Sequence, residues 1–218
     1  MDLKIVFDLD GTLITCENKQ KFVLFTILNS FSQSKGTSRE KLNPWWKLKR
    51  SGLSTEQALI RMNILNARLI ADEWRRIVEN HAYCSLDQPF DDSLHCLQYL
   101  KNELGFTIFI LTSRNCRFHV LQSLDSYGFS QHIEDLIVVK PELGFRGKTG
   151  CLEKISPAVY IGDSELDYQA ALHAGTSFIA LTRGQRSREY LSKTGIINIE
   201  DNLSFINGSF IHQILKSV

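Results

Sequence analysis

The stretch Lys4-Ile5-Val6-Phe7-Asp8-Leu9-Asp10-Gly11-Thr12-Leu13 decides the fold. Its first four residues are a short apolar, β-branched run that stops at a polar turn, the pattern of a buried parallel strand. Asp8 and Asp10 then stand where strand gives way to loop. In open α/β sheets, ligands bind in the crevice outside the carboxyl ends of the strands. Two carboxylates one residue apart, beside a flexible glycine and a hydroxyl, suit a hard divalent cation and an electron-poor phosphorus centre. An aspartate so placed is also a candidate covalent nucleophile. Asp10-Gly11 between apolar residues is equally a hairpin-turn signal, so these residues alone leave both readings open. A calcium loop counted from Asp8 would need Gly at its sixth position and Glu at its twelfth, where Leu13 and Lys19 stand.

The texture changes after Leu13, and no strand is expected from about residue 15 to residue 88. Phe22 to Ser30 reads as one helix. Pro44 to Arg50 reads as a second, with Pro at its start and Gly52 beyond its end. Ser54 and Gln57 have capping-box spacing and open a third helix, with Ala58, Leu59, Met62 and Leu65 at helical period. A fourth is expected from Ala71 to about Tyr83. So much helix between two strands exceeds an ordinary crossover and reads as an inserted helical cap, with the core at 1–14 and 89–218 and the cap at 15–88.

Strands then resume. A helix at Ser93–Asn102 precedes a strand at Phe106–Leu111 that ends in Thr112-Ser113-Arg114. A helix at Cys116–Ser126, closed by Gly128, leads to a strand at Leu136–Val139 running into Lys140-Pro141. A strand at Ala158–Ile161 ends in Gly162-Asp163-Ser164-Glu165-Leu166-Asp167. A helix to about His173 stops at Gly175, a fifth strand spans Ser177–Leu181, and a sixth is expected at Ile196–Ile199. Strands alternating with helices predict a doubly wound parallel α/β sheet, Rossmann-like in outline.

Composition bounds the partners. The 218 residues carry a formal net charge of +1, so no overall field favours nucleic acid or an acidic membrane surface. Five cysteines without a C-x-x-C pair argue against a zinc site or a disulfide framework and suit a reducing cytosol. No leader peptide or membrane span is expected. The expectation is a cytoplasmic protein, monomer or homodimer, acting on a small molecule.

Three predicted strands thus end in complementary polar residues, Asp8 and Asp10, Thr112, and Asp163 with Asp167. Singly, Gly-Asp and Thr-Ser after a strand are ordinary helix caps. Parallel strands, however, place all their carboxyl ends on one edge, and joint occurrence there is hard to obtain by accident.

In these residues the sequence resembles the haloacid dehalogenase-like (HAD) hydrolases. Asp8-Leu9-Asp10-Gly11-Thr12-Leu13 is similar to motif I, Thr112-Ser113-Arg114 to motif II, and Gly162-Asp163-Ser164-Glu165-Leu166-Asp167 to motif IV. A helical insert directly after motif I resembles the C1 cap of the phosphoglycolate-phosphatase-like members. The resemblance implies a magnesium-dependent phosphatase. Asp8 is then the nucleophile forming an aspartyl-phosphate, and Asp10 the general acid and base. Thr112, with Ser113 and Arg114, contacts the phosphoryl group or substrate. Asp8, the Asp10 backbone carbonyl and Asp163 bind Mg2+, with Asp167 in support. A carboxylate at position 10 favours phosphate esters, because a departing halide needs no acid.

The motif III lysine has two candidates. Lys140-Pro141 resembles the family's Lys-Pro, but Lys148, at the start of a short helix before the fourth strand, is preferred. A P-loop reading of Gly147-Lys148-Thr149 fails, because Glu142 stands where Gly is required. Many relatives carry Asp-Ser near the place of Thr15-Cys16, which weakens transfer of substrate from them. Lys49 and Arg50, in the basic run from Lys47 to Gly52, are candidate contacts to a second anionic group on the substrate. The bland alternative is a solvated helix end complementing its dipole. The alternatives to a phosphatase are a phosphomutase, a dehalogenase, or a non-enzymatic module that binds a phosphorylated ligand or a partner.

Overall fold

The computed structural model describes residues 3–31, 39–207 and 210. Of the core and cap ranges predicted above, residues 1, 2, 32–38, 208, 209 and 211–218 lie outside it. The chain is a doubly wound α/β structure. Strand β1 is Lys4–Phe7. Helices α1 (Glu17–Ser30), α2 (Asn43–Arg50), α3 (Thr55–Arg61), α4 (Ala67–Ile77), α5 (His81–Cys84) and α6 (Ser93–Gln98) follow. Then come β2 (Thr107–Ser113), α7 (Arg117–Ser126), β3 (Asp135–Val139), α8 (Gly144–Ile155), β4 (Val159–Gly162), α9 (Glu165–Ala174), β5 (Ser177–Leu181), α10 (Arg188–Lys193) and β6 (Ile199–Glu200).

The six strands among the described residues are all parallel, in the order β3-β2-β1-β4-β5-β6. The first strand lies between β2 and β4, where the order reverses, and the crevice at such a switch point is where ligands bind. The continuous apolar runs have a physical reason, since both faces of the sheet are covered. Ile5 and Phe7 face one core with Ile108, Ile110 and Ile161. Val6, between them, faces the other with Leu111, Tyr160 and Ala180, as the two-residue alternation of a strand requires.

Residues from Cys16 to Val78 pack a third core of their own around Trp45, Leu24, Leu59 and Ile70. Its local signals work as the sequence predicts. Pro44 sits in the first turn of α2, and Ser54 and Gln57 form the reciprocal capping box of α3. The two connections to this unit run side by side. The Thr15 N–H donates to the Gln88 carbonyl at 2.7 Å, and the Gln88 N–H to Thr15 Oγ1 at 3.0 Å.

Three expectations need correction. The helix expected over 71–83 starts at Ala67 and ends at Ile77, and a separate short helix begins at His81, because the Asn80 side chain accepts from the Ala82 N–H and caps a new start. The helix before β4 is twelve residues long and opens at Gly144, so Lys148 lies a full turn inside it. Gly147 does not break that helix. It lets the helix approach its surroundings, for a Cβ there would lie 2.9 Å from Leu143 Cβ and 3.4 Å from Val139 Cβ. The sixth strand is two residues at Ile199–Glu200, not Ile196–Ile199; Ile196 instead packs into the core beneath α10.

Candidate active site

The carboxyl ends of β1, β2 and β4 open into one cavity of about 230 Å³. Asp8, Asp10, Thr112, Ser113, Lys148, Asp163 and Asp167 line it from the core, and Lys19, Gln20, Trp74 and Glu79 line it from the helical unit. Lys140, Arg114, Lys49 and Arg50 do not line it.

Asp8 follows β1 directly and its N–H donates to the Ile161 carbonyl at 2.8 Å, which fixes its backbone against β4. Lys148 reaches across from α8. Its Nζ donates to Asp8 Oδ1 at 2.6 Å, to Asp167 Oδ1 at 2.5 Å and to the Tyr160 hydroxyl oxygen at 3.0 Å. Tyr160 in turn donates to Asp167 Oδ1 at 2.6 Å, and Ser164 Oγ donates to Asp167 Oδ2 at 2.6 Å. Asp167 is thus committed to orienting Lys148. Lys140 stands exposed at the end of β3, so of the two candidate lysines only Lys148 is beside Asp8.

Burial pushes the Asp8 carboxyl up to about 7; Lys148 opposes the rise, and Asp167 and Asp10 add to it. Asp163 is pushed well above the usual carboxylate range by burial and by Asp8 and Asp167, although the Gln185 N–H donates to its Oδ2. Burial would also raise Asp167, but the cation of Lys148 and the bonds from Ser164 and Tyr160 outweigh it and hold this group down. Lys148 shows the converse. Burial disfavours its charge, yet Asp167 and Asp8 hold its pKa above the ordinary lysine value.

Asp8, Asp163 and Asp167 each offer an oxygen within 4.8 Å of the others, all three residues buried. Such a group of carboxylates, with Lys148 as the one cation bonded to it among the described residues, is short of positive charge. An all-oxygen donor set of this kind fits a hard divalent cation.

Asp10 has a different environment. Arg114 grips it with two bonds, Nε to Oδ2 at 2.8 Å and Nη2 to Oδ1. Arg114 also reaches Asp87 at 2.9 Å and Glu79 at 3.2 Å. Lys19 lies 2.7 Å from Asp87, 3.5 Å from Glu79 and 3.7 Å from Asp10. Burial alone would raise Asp10, but Arg114 and Lys19 outweigh it and hold the carboxyl well below its usual range. Arg114, expected at the substrate, is therefore the counter-ion of Asp10 and the link between the core and the helical unit.

The basic run at the end of α2 is also a joint. Arg50 donates to the Thr182 and Arg186 carbonyls, and its own carbonyl accepts from the Ser187 N–H at 2.9 Å. Lys49 is buried beneath Trp74, its Nζ 4.9 Å from that ring and 5.7 Å from Trp45, and it donates to Thr55 Oγ1 at 3.2 Å. The arginines after β5 are likewise internal ties. Arg183 donates to the Thr12 carbonyl and pairs with Asp92 at 2.5 Å, and Arg186 pairs with Glu165 at 2.6 Å. Gly184 passes so near Gly11 that a Cβ on it would lie 2.7 Å from Gly11 Cα.

A family model for haloacid dehalogenase-like hydrolases matches residues 5–181. The chain belongs to this family. Its fold recurs in solved HAD structures. A Bacteroides fragilis protein assigned to the haloacid dehalogenase-like hydrolases is 22% identical at TM-score 0.69, over 95% of this chain and 100% of that one. A predicted phosphoglycolate phosphatase of Haemophilus somnus is 18% identical at TM-score 0.66, over 94% and 97%. A HAD family hydrolase of Deinococcus radiodurans, solved with phosphate and sodium bound, is 15% identical at TM-score 0.67, over 96% and 95%. Among curated proteins none matches the sequence. No described helix is long and apolar enough to cross a membrane.

Sequence reasoning missed Lys19, Gln20, Glu79, Asp87 and Tyr160. One signal was available. Lys19 and Gln20 continue the buried stripe Val23, Leu24, Ile27 and Leu28 of α1 at helical period, and two polar residues on an apolar stripe point to a site.

Proposed function

We propose that this HAD hydrolase is a cytoplasmic, magnesium-dependent phosphatase that acts on a small phosphorylated metabolite through an aspartyl-phosphate. The observation that carries the reading is the meeting of Asp8, Asp10, Thr112, Lys148 and Asp163 from separate strands and helices in one cavity. In this reading residues 15–88 are the cap, closing over a core of residues 1–14 and 89–218.

Asp8 attacks phosphorus, and the alcohol leaves as the Asp8–phosphate bond forms. Lys148 offsets the repulsion between that carboxylate and the incoming phosphate dianion, and Asp167, Tyr160 and Ser164 hold Lys148 in place. Thr112 hydrogen-bonds the transferring phosphoryl oxygens, with Ser113 beside it. Asp8, the Asp10 carbonyl and Asp163 would hold Mg2+, with Asp167 in support; the ion supplies charge neutralisation at the phosphoryl oxygens. Asp10 gives a proton to the leaving oxygen and later takes one from the water that hydrolyses the acyl phosphate. Both Asp10 oxygens face Arg114 here, so proton delivery requires the Asp10 side chain to turn away from Arg114 as substrate enters. An acid beside the nucleophile favours phosphate esters over halides and over a purely binding role.

The test is phosphate release from a metabolite panel with magnesium, comparing the parent with Asp8→Asn, together with labelling of the protein by substrate phosphate. Magnesium-dependent turnover and label in the parent, both absent from Asp8→Asn, are expected. Turnover that survives in Asp8→Asn overturns the assignment of the nucleophile.

A further inference from the structure

The wall of the cavity contributed by the helical unit carries charge information of its own. The cations lining the cavity, among the described residues, are Lys148 and Lys19. Lys148 is taken up by Asp8 and Asp167. Lys19 is taken up by Asp87, with Glu79 and Asp10 nearby. Lys19 and Arg114 together answer three carboxylates, Asp10, Glu79 and Asp87; with Asp10 ionised this cluster is one negative charge in excess, with a proton on Asp10 it is balanced, and in neither state is a positive charge left over.

One acceptor among the residues lining this wall also lacks a donor. Gln20 is 5% exposed, lines the cavity, and its Oε1 is buried with no hydrogen-bond partner. Glu79 lines the cavity beside it, and its cation contacts are long, at 3.2 and 3.5 Å. Trp74 contributes an apolar surface only, because its N–H already donates to the Gln20 carbonyl at 3.2 Å. The basic residues at the end of α2 supply nothing here, being joined to the core or buried behind Trp74.

We propose that the substrate is a phosphate monoester of a small alcohol that presents a hydrogen-bond donor, a hydroxyl or an ammonium, and carries no second anionic group. Gln20 and Glu79 are the residues that select it. A buried acceptor left unpaired discriminates strongly in favour of a donor. A second anion would meet a wall with no surplus cation to receive it. The inference rests on the phosphatase reading and narrows its substrate. It also separates this chain from any relative that hydrolyses phosphoglycolate, whose leaving alcohol carries a carboxylate.

Four size-matched esters test it with the parent protein, so that no variant need fold. They are ethyl, 2-hydroxyethyl, 2-aminoethyl and carboxymethyl phosphate. The expected order of kcat/KM places 2-hydroxyethyl and 2-aminoethyl phosphate first and carboxymethyl phosphate last, about tenfold or more below them. Glu79→Gln is expected to shrink the ratio of 2-aminoethyl to carboxymethyl phosphate by about tenfold, and Gln20→Leu to reduce the advantage of 2-hydroxyethyl over ethyl phosphate. Equal rates for all four, or preference for carboxymethyl phosphate, overturns the inference and leaves the phosphatase reading intact. No phosphate release from any ester, with no phosphate label on the protein, overturns both.

Discussion

Lys49→Met should make the protein more stable at neutral pH. Lys49 is 7% exposed, and its Nζ meets not a carboxylate but Thr55 Oγ1 and the rings of Trp45 and Trp74. Burial, and then the nearby Arg186, lower it from 10.5 to about 8. A fall of that size costs the charged folded state roughly 3 kcal/mol, at about 1.4 kcal/mol per tenfold. The two rings return on the order of 1–2 kcal/mol through cation–π attraction. Methionine keeps the stem volume and gains sulfur–ring contact. The net expectation is a gain of about 1–2 kcal/mol at pH 7. The sign of the pH dependence follows from proton counting. Between pH 8 and 10.5 the unfolded chain holds more protons on Lys49 than the folded one, so parent stability rises with pH through that window. The advantage of Lys49→Met must therefore shrink above pH 8 and be gone near pH 10.5. Urea unfolding followed by circular dichroism at about pH 7, 8.5 and 10 measures it. A variant less stable than the parent at pH 7, or an advantage that does not change with pH, refutes the reasoning. The same variant speaks to function. Had Lys49 held an anionic part of the substrate, KM would rise sharply, whereas a KM within about twofold of the parent places it outside the site.

Arg114→Met should destabilise the protein by about 3–5 kcal/mol, because it leaves Asp10, Glu79 and Asp87 facing Lys19 alone in a buried place. Urea midpoints measure it, and adding Asp87→Asn should recover part of the loss. A cost below about 1 kcal/mol would mean that the network is a surface one in energy. Gly184→Ala forces a Cβ to within 2.7 Å of Gly11 Cα and against the Asp163 carboxylate. Displacing that carboxylate should lower kcat by about a hundredfold while the far-ultraviolet spectrum stays native. Gly150→Ala, in α8 with nothing within 4 Å of the added atom, should instead stabilise by about 0.5–1 kcal/mol, as thermal unfolding would report.

What could be read from the sequence was what is local or what topology collects. A buried strand announces itself as a short apolar run, and in a parallel sheet the residue after each run falls on one edge. Asp8, Thr112 and Asp163 were therefore legible although 50 or more residues separate each from the next. Caps were legible for the same reason, as with Ser54 and Gln57. Partners were not. Arg114 after a strand looked like a substrate contact, because the carboxylates that claim it, Glu79 and Asp87, belong to another unit and share no spacing with it. The basic residues Lys49 and Arg50 looked like an open anion site for a similar reason, since sequence shows their charge and not the Trp74 ring or the Thr182 carbonyl that takes them up. Lys148 is legible from its place before β4, but the start of its helix at Gly144 is not. In the fold Gly147 buys close packing on Val139 and Leu143. The same reasoning shows where specificity must lie. The catalytic edge is assembled from strand ends and is readable from them, whereas the wall contributed by the helical unit is made of side chains whose charges cancel or fail to cancel only in three dimensions. The lack of a surplus cation around Glu79 and the unpaired oxygen of Gln20 are facts of that second kind. In the proposed reading they, and not the motifs, select the phosphate ester, and the four-ester series tests this.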